Sequence, residues 1–459
     1  MAATKTITDP LYGSIILSET EAKIVSSRAF QRLHNVRQLG LAHLVFPSAG
    51  YSRFAHSVGA LHNASRMIDA ISDDASKVSP ERKAAYRVAA LLHDVGHYPF
   101  SHATEHTLAD YYAGSLFTSS SLVRRDGAAE SINHEDVGAI VLQRDPEINR
   151  IIQNSIDVSM DMLRGIFSTS AEDSLFGVIS SDLDCDRLDY LARTSLLGGV
   201  PYGNVDVDFI ISKSTMGRAG QLAFEAKAAK AIDHLLVSRY YDYMQMVHHK
   251  TVEALEWSLS EAIRFALDHE DGLLSKAFVE SKIDDGTWWR IDDSWFISKL
   301  KYHEGRANAS AGMAVVRDHL AAILYRRPAK RLWKWEALLD RDDSKIETTL
   351  RLTRKVVDAI AKEMGIEPAR FWINNRKFKF VKMSHHDTSQ GEFEEESAKA
   401  VLLKVRGREQ FLVERDELML KTLSRMRNFA VNVYYLPTKD EPKSVRDELR
   451  ARIHKEMAG

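Results

Sequence analysis

The stretch VAALLHDVGHYPFSH, residues 88–102, decides the fold. Its run of alanine, leucine and valine predicts a buried helix over residues 81–96. The helix should end next to Pro99, because a proline disfavours helical geometry in the residue before it. The pair His93-Asp94 lies at the end of this apolar run. A buried carboxylate costs several kcal/mol unless it is paired or bound to a metal ion, so a cationic partner for Asp94 is expected.

Other polar residues are also predicted to face inward. His97 follows His93 by four residues, so the two imidazoles are expected on one helix face. Apolar spacing predicts a helix over residues 52–71, with His56 in its first turn. Asp186 shares a predicted helical stripe with Ile179, Leu183 and Tyr190. Two imidazoles and two carboxylates suit Fe, Mn, Zn or Ni rather than a thiolate site. We therefore predict one divalent transition metal held by His56, His93, Asp94 and Asp186.

Each of these positions also has a purely structural explanation. An inward histidine is most often hydrogen-bonded in the core. An aspartate near a helix end most often caps the helix or pairs with a neighbour such as Arg187. A second His-Asp pair, His386-Asp387, lies in a polar stretch that is predicted to be a surface loop. Coincidence over four positions is the weaker explanation, but spacing alone leaves both open.

Composition limits the class of protein. The chain has 459 residues, 44% of them hydrophobic and 27% charged, enough for a large domain and a smaller one. The net charge of −2 gives no global positive field to recruit nucleic acid, so nucleic-acid binding is possible but not implied. The single cysteine, Cys185, excludes an internal disulfide and fits a reducing cytoplasm. No signal peptide or membrane span is predicted, so we expect a cytoplasmic protein.

Helical patterns predict a mainly α fold. They cover about residues 21–38 and resume from about residue 134 to 339, with a polar loop or lid at residues 113–132. Strand and hairpin patterns follow, near residues 378–380, 401–405, 411–413 and 431–435. We predict a helical catalytic domain over residues 1–345, which includes a small N-terminal hairpin region. A smaller C-terminal α+β lobe over residues 346–459 is predicted to serve oligomerisation or regulation.

Four motifs occur in a fixed order along the chain. They are Arg-Phe-x-His-Ser at 53–57, His-Asp-x-Gly-His-x-Pro-Phe-Ser-His at 93–102, His-Glu at 134–135 and Asp-x-Asp-Arg-x-Asp-Tyr at 184–190. With them the chain resembles the HD-domain deoxynucleoside triphosphate triphosphohydrolases, which include bacterial dGTPase-like enzymes and the catalytic cores of SAM-and-HD-domain proteins. The stretches FQRLHNVRQLG (30–40), VFPSAGYSRFAHS (45–57) and GVPYG (199–203) extend the resemblance. It covers roughly residues 8–255 and is more specific for the family than for the substrate.

The resemblance implies an HD-type helical core and a reaction. Such enzymes cut between the α-phosphate and the 5′ oxygen, releasing a deoxynucleoside and inorganic triphosphate. The four metal ligands are the same, with Mg²⁺ on the triphosphate. The residues implied around the α-phosphate are His97, His102 and His134, with Glu105 orienting one of them. The residues implied to bind substrate are Arg53, Arg187, Arg239 and Lys250 at phosphate oxygens, Gln38 and Leu39 at sugar and base, and Tyr190 at the ribose.

Two positions depart from the family pattern. Thr194 stands where relatives usually carry an aspartate that binds the 3′-OH of the sugar. Val247 stands where a tyrosine usually crowds out a 2′-OH, and Tyr240, Tyr241 or Tyr243 could replace that tyrosine if the register shifts. Preference for deoxy over ribo substrates is therefore less secure than hydrolysis itself.

The resemblance further implies a homo-oligomer, a tetramer or hexamer, with a nucleotide activator between subunits. The basic and aromatic residues 325–335 are candidates for binding that nucleotide or single-stranded nucleic acid, and an amphipathic helix with extended cations is the structural alternative. Two other functions stay open. One is an HD nucleotidase or a phosphodiesterase or exonuclease on other nucleotides, and the other is a non-catalytic nucleotide-sensing protein.

Overall fold

The computed structural model describes residues 5–72, 78–113, 130–167, 173–309, 313–340, 343–381, 396 and 399–458. The fold is mainly α, as the sequence predicts. Residues 114–129 of the expected lid and the pair His386-Asp387 lie outside the described residues. No described helix is long and apolar enough to cross a membrane.

The chain begins with an antiparallel hairpin. Strand β1 (Lys5–Asp9) pairs with β2 (Gly13–Leu17) in the register Ile7↔Ile15. Helices α1 (Glu19–Ser26) and α2 (Arg28–Gln31) follow, and a short 3-10 turn ends at Asn35. The single helix expected over residues 21–38 is therefore wrong. Ser27 has extended backbone angles, and its hydroxyl accepts a hydrogen bond from Phe30 N, so it begins a new helix.

Helices that carry the site come next. They are α3 (Arg53–Ser72), α4 (Pro80–Leu92), α5 (His102–Tyr112), α6 (His134–Arg144), α7 (Pro146–Gln153), α8 (Met160–Phe167), α9 (Cys185–Gly198) and α10 (Val207–Ser212). The prediction for α3 is confirmed. The prediction for α4 is wrong at its end, because the helix ends at Leu92 and residues 93–101 form turns. His97 is therefore not one helical turn beyond His93. The predicted stripe before Asp186 is also wrong, since α9 begins only at Cys185, with Asp184 as its N-cap.

Gly96 explains why the chain turns after α4. A Cβ atom on Gly96 would lie 2.1 Å from the carbonyl oxygen of His134 and 2.3 Å from the nitrogen of Gly138. The turn therefore packs directly on the start of α6, which an ordinary helix with side chains could not do. Phe100 and Ser101 follow with φ values of 56° and 58°. This unusual backbone leads into α5.

Helices continue the body, interrupted by two short strands. The elements are β3 (Ser214–Met216), β4 (Leu222–Glu225), α11 (Ala229–Asp242), a π-helical turn (Tyr243–Val247), α12 (Lys250–His269), α13 (Lys276–Asp284), α14 (Asp293–Ala309) and α15 (Ala314–Leu324). The strands correct the continuous helical pattern predicted here. Gly220, with φ 83°, lies in the turn that folds β4 back on β3.

The C-terminal part is α+β. Its elements are β5 (Lys330–Leu339), α16 (Asp343–Glu363), β6 (Phe371–Lys379), β7 (Leu402–Val405), β8 (Arg408–Phe411), α17 (Met419–Leu423), β9 (Arg427–Tyr435) and α18 (Lys443–Ala458). The helix considered for residues 325–335 is wrong, because residues 330–335 belong to β5. Strand β9 lies between β5 and β6 in an antiparallel sheet. The expected hairpin near residues 401–413 is present as β7–β8, and β4 pairs parallel with β7.

Three buried clusters of the described residues hold these layers together, and the smallest packs Trp257 of α12 against Tyr434 of β9. The main core runs through the helical body from Ile15 to Leu420. A second, smaller core packs α16 and α18 on the β5–β9–β6 sheet, with Leu332, Phe371 and Leu449 among its buried residues. Strand β5 precedes residue 345 and pairs with a strand that follows it, and β4 does the same. The division into domains at that residue stays a prediction.

Candidate metal centre

Three ligand atoms converge where α3, the end of α4 and the first turn of α9 meet. The Nε2 atom of His56 lies 3.3 Å from Nε2 of His93 and 2.8 Å from Oδ1 of Asp186. The Nε2 atom of His93 lies 3.8 Å from the same Asp186 oxygen. One ligand atom from each residue lies within 4.8 Å of the other two, so the group is able to hold a metal ion.

Asp94, the fourth predicted ligand, lies beside this group. Its Oδ2 atom is 3.6 Å from Nε2 of His56, and its Oδ1 atom is 3.4 Å from Nε2 of His93. The carboxylate also accepts hydrogen bonds from Arg53 Nη1 at 2.5 Å and from His97 Nε2 at 3.1 Å. Burial alone would raise the pKa of Asp94, but the charges of Arg53, His93 and His97 hold it well below its usual range. The side chain is therefore an anion where a cation would bind.

The outer nitrogen of each histidine has a fixed partner. Nδ1 of His56 lies 2.8 Å from Oδ2 of Asp189, and Nδ1 of His93 lies 2.7 Å from the carbonyl oxygen of Ala90. An imidazole that donates from Nδ1 keeps a lone pair on Nε2, which is the usual arrangement of a metal-binding histidine. The donor set therefore fits a divalent transition metal.

The charges around His56 support the same conclusion. Burial alone would lower the pKa of His56, but hydrogen bonds to Asp186 and Asp189 raise it to about 10. The acids around this imidazole thus require a positive charge between them. A proton on His56 or a divalent ion can supply it.

A second cluster of titratable residues adjoins the first. Its members are His97, His102, Glu105 and His134, each with one ligand-type atom within 4.8 Å of the others. The two oxygens of Glu105 both lie 3.0 Å from Nδ1 of His134, and one of them lies 3.1 Å from Nδ1 of His102. The rings of His97 and His134 stack with their centroids 3.9 Å apart. The implied catalytic residues therefore form one group, in which Glu105 binds two histidines rather than one.

Exposure and charge differ within the second cluster. The side chain of His102 is 55% exposed, whereas His97 is buried. Burial and the nearby Arg53 lower the pKa of His97 well below its usual range. Burial would raise the pKa of Glu105, but its hydrogen bonds to His102 and His134 hold it far below its usual range. The cluster thus presents a neutral imidazole and a carboxylate with two imidazole partners.

The predicted phosphate-binding arginines have protein partners. Arg53 is buried between Asp94 and Ser101, whose hydroxyl accepts a hydrogen bond from Nε at 2.8 Å. Arg187 donates to Asp182 at 2.8 Å. The guanidinium carbon of Arg239 lies 5.2 Å from the ring of Tyr243, and Nη1 lies 3.4 Å from the carbonyl oxygen of Phe380. Arg53 and Arg187 are therefore held by buried carboxylates, whereas the buried Nε atom of Arg239 has no hydrogen-bond partner among the described residues.

Tyr190 belongs to the neighbourhood of two of these arginines. It interacts electrostatically with Arg187, Arg239 and Asp186, and burial raises its pKa well above the usual range. Tyr190 is thus near both Asp186 and the two arginines. Val247 ends the π-helical turn, while Tyr243 begins that turn and packs on Arg239.

The expected sugar and base contacts meet at Tyr51. Its hydroxyl lies 2.8 Å from Oγ1 of Thr194, and its carbonyl oxygen accepts a hydrogen bond from Gln38 N at 3.1 Å. Thr194 is fully buried, Leu39 is half-buried, and the Oε1 atom of Gln38 is buried with no hydrogen-bond partner among the described residues. Lys250 is exposed at the start of α12 and is not part of this group.

Some residues of the site were not singled out from the sequence. Asp189 lies inside a quoted motif, and Tyr51 lies inside a quoted stretch, but no spacing rule assigned them a contact. Phe378 lies on β6, and its ring is 5.5 Å from the guanidinium carbon of Arg239. The alternating pattern predicted its strand but gave no sign of this contact.

Comparison with known proteins agrees with this geometry. The HD domain family model matches residues 53–192. An uncharacterized protein of Bacillus subtilis is 27% identical over 62% of this chain and 63% of its own length. An uncharacterized protein of Methanocaldococcus jannaschii is 31% identical over 65% of this chain and 56% of its own length. The deoxynucleoside triphosphate triphosphohydrolase SAMHD1 homolog of Dictyostelium discoideum is 25% identical over 57% of this chain and 49% of its own length.

Solved structures share the fold. A hypothetical protein from Aquifex aeolicus superposes with a TM-score of 0.71 at 23% identity, covering 98% of this chain and all of its own. A phosphohydrolase from Bacteroides thetaiotaomicron gives a TM-score of 0.68 at 22% identity, covering 95% of this chain and all of its own. The chain spans less than two thirds of the length of the curated relatives given above. Residues 53–192 match the HD domain family model, and the similar proteins include a deoxynucleoside triphosphate triphosphohydrolase homolog.

Proposed function

We propose that the protein is a metal-dependent phosphohydrolase that cleaves deoxynucleoside triphosphates into a deoxynucleoside and inorganic triphosphate. The observation that carries this proposal is the contact between two clusters. The metal group of His56, His93 and Asp186 joins the His97–Glu105–His134 group through Asp94, which touches both. This arrangement would place a bound metal ion beside histidines that could donate a proton, which is the combination that this hydrolysis would use.

The ligands His56, His93, Asp94 and Asp186 would hold one Fe, Mn, Zn or Ni ion. Such an ion would supply Lewis-acid chemistry and a nucleophilic water at neutral pH. The protein's part is to keep the Nε2 atoms of both histidines aimed at one point. It does so through the Nδ1 contacts to Asp189 and Ala90.

Glu105 and its two histidines would handle the proton. Both Nδ1 atoms are bound to Glu105, which leaves Nε2 of His102 and His134 to meet a substrate. A protonated imidazole at either position could donate a proton from Nε2 to the leaving 5′ oxygen. General acid catalysis of this kind typically contributes about 10²–10⁴ in rate.

Arginines would stabilise charge on the phosphate oxygens. Arg187 and Arg239 lie near each other and near Tyr190, which could pack on the ribose. Guanidinium groups bind phosphate oxygens by two parallel hydrogen bonds. Mg²⁺ on the triphosphate would neutralise the remaining charge.

Product analysis tests this function. The purified chain with Mn²⁺, Mg²⁺ and each of the four dNTPs is expected to release inorganic tripolyphosphate and nucleoside, measured by ion chromatography. Asp186→Ala should abolish the products. His454→Ala, at an exposed histidine on α18 that contacts the carbonyl oxygen of Leu332, should retain them. Release of orthophosphate or pyrophosphate instead would reject the assigned bond.

A nucleotide activator is a further part of the proposal. Burial and the charges of Arg446, Arg326 and Lys250 lower the pKa of Lys330. Burial and the charges of Lys250 and Arg331 lower the pKa of His249, the N-cap of α12. Mutual repulsion of cations beside a helix N-terminus favours a phosphate-bearing ligand. We expect a dNTP to raise the rate and to convert the protein to a tetramer or hexamer, which light scattering would detect.

The second candidate is a nucleotidase or phosphodiesterase on other nucleotides. Thr194 favours it, because the hydroxyl expected to contact the sugar 3′-OH is buried and bonded to Tyr51. Single-stranded DNA and cyclic nucleotides should therefore be tested under the same conditions. Activity on them that disappears in Asp186→Ala, with none on dNTPs, would favour this alternative.

A further inference from the structure

We propose that Asp189, Arg193 and Asp9 position His56 for the metal ion, so that the N-terminal hairpin is a working part of the metal centre. The inference rests on the proposed function in one respect, the binding of a divalent ion by His56. It adds positioning residues that lie behind the ligands and touch neither ion nor substrate.

The three residues form a continuous chain of charged contacts. Oδ2 of Asp189 lies 2.8 Å from Nδ1 of His56 and 2.9 Å from Nε of Arg193, while Oδ1 of Asp189 lies 2.8 Å from Nη2 of Arg193. Nη1 of Arg193 then donates to Oδ2 of Asp9 at 2.9 Å. His56 and Arg193 thus donate three hydrogen bonds to the two oxygens of Asp189, and these bonds orient its carboxylate.

Burial makes these contacts strong. Asp189 and Arg193 are 0% exposed, and Asp9 is 5% exposed. Water cannot replace a lost partner at such positions, and removing one member of a buried ion pair leaves the other uncompensated. One guanidinium between two carboxylates leaves a net negative charge, which lies behind the imidazole that would face a cation.

The packing of α3 on α9 is built around this chain. A Cβ atom on Gly59 would lie 1.9 Å from Oδ1 of Asp189 and 2.4 Å from Nη2 of Arg193. Only glycine lets α3 approach α9 this closely. The close approach brings Asp189 on α9 within hydrogen-bonding distance of His56 on α3.

The hairpin closes the far side of the chain of contacts. Asp9 is the last residue of β1, and its Oδ1 atom accepts hydrogen bonds from Leu11 N at 2.8 Å and Tyr12 N at 3.3 Å in the turn. The ring of Tyr12 lies 5.9 Å from the guanidinium carbon of Arg193, and Asn63 on α3 donates to its hydroxyl at 3.0 Å. One carboxylate thus orders the turn and holds Arg193.

A carboxylate that accepts a hydrogen bond from Nδ1 of a metal-binding histidine fixes the ring orientation and the tautomer. It also makes the lone pair on Nε2 a stronger ligand for the metal ion. Loss of such a partner typically lowers metal affinity by roughly 10–100-fold. The substitution Asp189→Asn replaces one of the two oxygens by an amide group that cannot accept, so three donors can no longer be satisfied. The substitution Asp9→Asn should have a smaller effect. Asparagine can still accept the hydrogen bonds of the turn, but the negative charge that faces Arg193 is lost.

The experiment measures Mn²⁺ affinity of the full chain, after dialysis against a chelator, by titration calorimetry. We expect Asp189→Asn to raise the Mn²⁺ dissociation constant by roughly 10–100-fold, and Asp9→Asn to raise it by a smaller factor. The matched control is Glu21→Gln. Glu21 is 1% exposed and pairs with Arg87, which also donates to the carbonyl oxygen of Ile16 on the same hairpin. This control should lower the unfolding temperature without changing Mn²⁺ affinity.

The outcomes separate the two proposals. Wild-type affinity in folded Asp189→Asn protein would overturn the positioning role and leave the proposed function intact. If Asp189→Asn does not fold, Asp9→Asn decides, and unchanged Mn²⁺ affinity in that variant overturns the role. An equal loss of affinity in Glu21→Gln would also overturn it, because general loosening of the hairpin would then explain the result. Wild-type protein that binds no Mn²⁺ would overturn the proposed function as well.

Discussion

The Nη1 atom of Arg53 lies 2.5 Å from Oδ2 of Asp94, and both side chains are buried. One of these residues was predicted as a phosphate ligand and the other as a metal ligand. Their contact means that the arginine also compensates the carboxylate when no cation is bound. The candidate phosphate site and the candidate metal site are therefore linked through a buried ion pair.

The first prediction concerns this pair. Arg53→Ala should lower the free energy of unfolding by about 3–5 kcal/mol, because it leaves a buried charge without its partner. The measurement is urea unfolding in chelator. Added Mn²⁺ should recover part of the loss, since a divalent ion can take over the compensation. Arg53→Lys keeps a cation and should lose less, and equal losses in both variants would contradict the compensation argument.

The second prediction concerns Gly96. Gly96→Ala places a methyl group against backbone atoms of His134 and Gly138, which cannot move aside as a side chain could. Overpacking typically costs about 1–3 kcal/mol, and we expect at least that loss together with reduced phosphohydrolase activity.

Gly165→Ala is the matched control for this substitution. A Cβ atom on Gly165, in α8, would meet nothing within 4 Å. This variant should be neutral or more stable by up to about 1 kcal/mol. A Gly96→Ala protein as stable as the control would show that the turn and α6 can separate without cost.

The third prediction concerns acid. A carboxyl whose folded pKa is depressed, as for Glu105, stabilises the fold above its unfolded pKa of about 4.3 and loses that contribution as pH falls below it. Wild type should therefore exceed Glu105→Gln in stability at pH 7, and the difference should shrink below about pH 4. Urea unfolding over a pH series measures it. Glu135→Gln, at an exposed neighbour on α6, should follow the wild-type curve, and a Glu105→Gln curve parallel to wild type would contradict the prediction.

The fourth prediction concerns Phe378 on β6. Phe378→Leu removes a cation–π contact with Arg239 worth about 0.5–1 kcal/mol, so we expect KM for a dNTP to rise about two- to fivefold with little change in kcat. Phe371→Leu is the matched control. It removes an aromatic ring from the same strand inside the smaller core, which contains none of the residues predicted to bind substrate. A KM rise of the same size in both variants would attribute the effect to general loosening of the sheet.

How much of the fold and of the candidate site could be predicted from the sequence depended on how far apart along the chain the contacting residues lie. The convergence of His56, His93 and Asp186 was predicted, although the helical stripe used to place Asp186 was wrong, because α9 begins only at Cys185. The end of α4 was not, because the packing of Gly96 on α6 decides it. Asp189 is itself a residue of a quoted motif, yet its contact with His56 depends on how closely α3 approaches α9.

The C-terminal part shows the same limit. Periodicity predicted the hairpin β7–β8, a local structure. It could not predict that β7 pairs with β4, or that Phe378 reaches Arg239, because those contacts join distant parts of the sequence. The strand β5 was missed because its mixture of arginine, lysine and tryptophan also fits the exposed face of a helix.

The parallel pairing of β4 with β7, Phe224 opposite Leu403, has a practical consequence for making shorter versions of this protein. A fragment cut after residue 345 would keep β3 and β4 but lose β7, leaving one edge of β4 with unsatisfied backbone groups and the fully buried Phe224 open to solvent. Such edges recruit other chains. Trimmed material for crystallisation or screening would therefore be expected to aggregate, however complete its helices look.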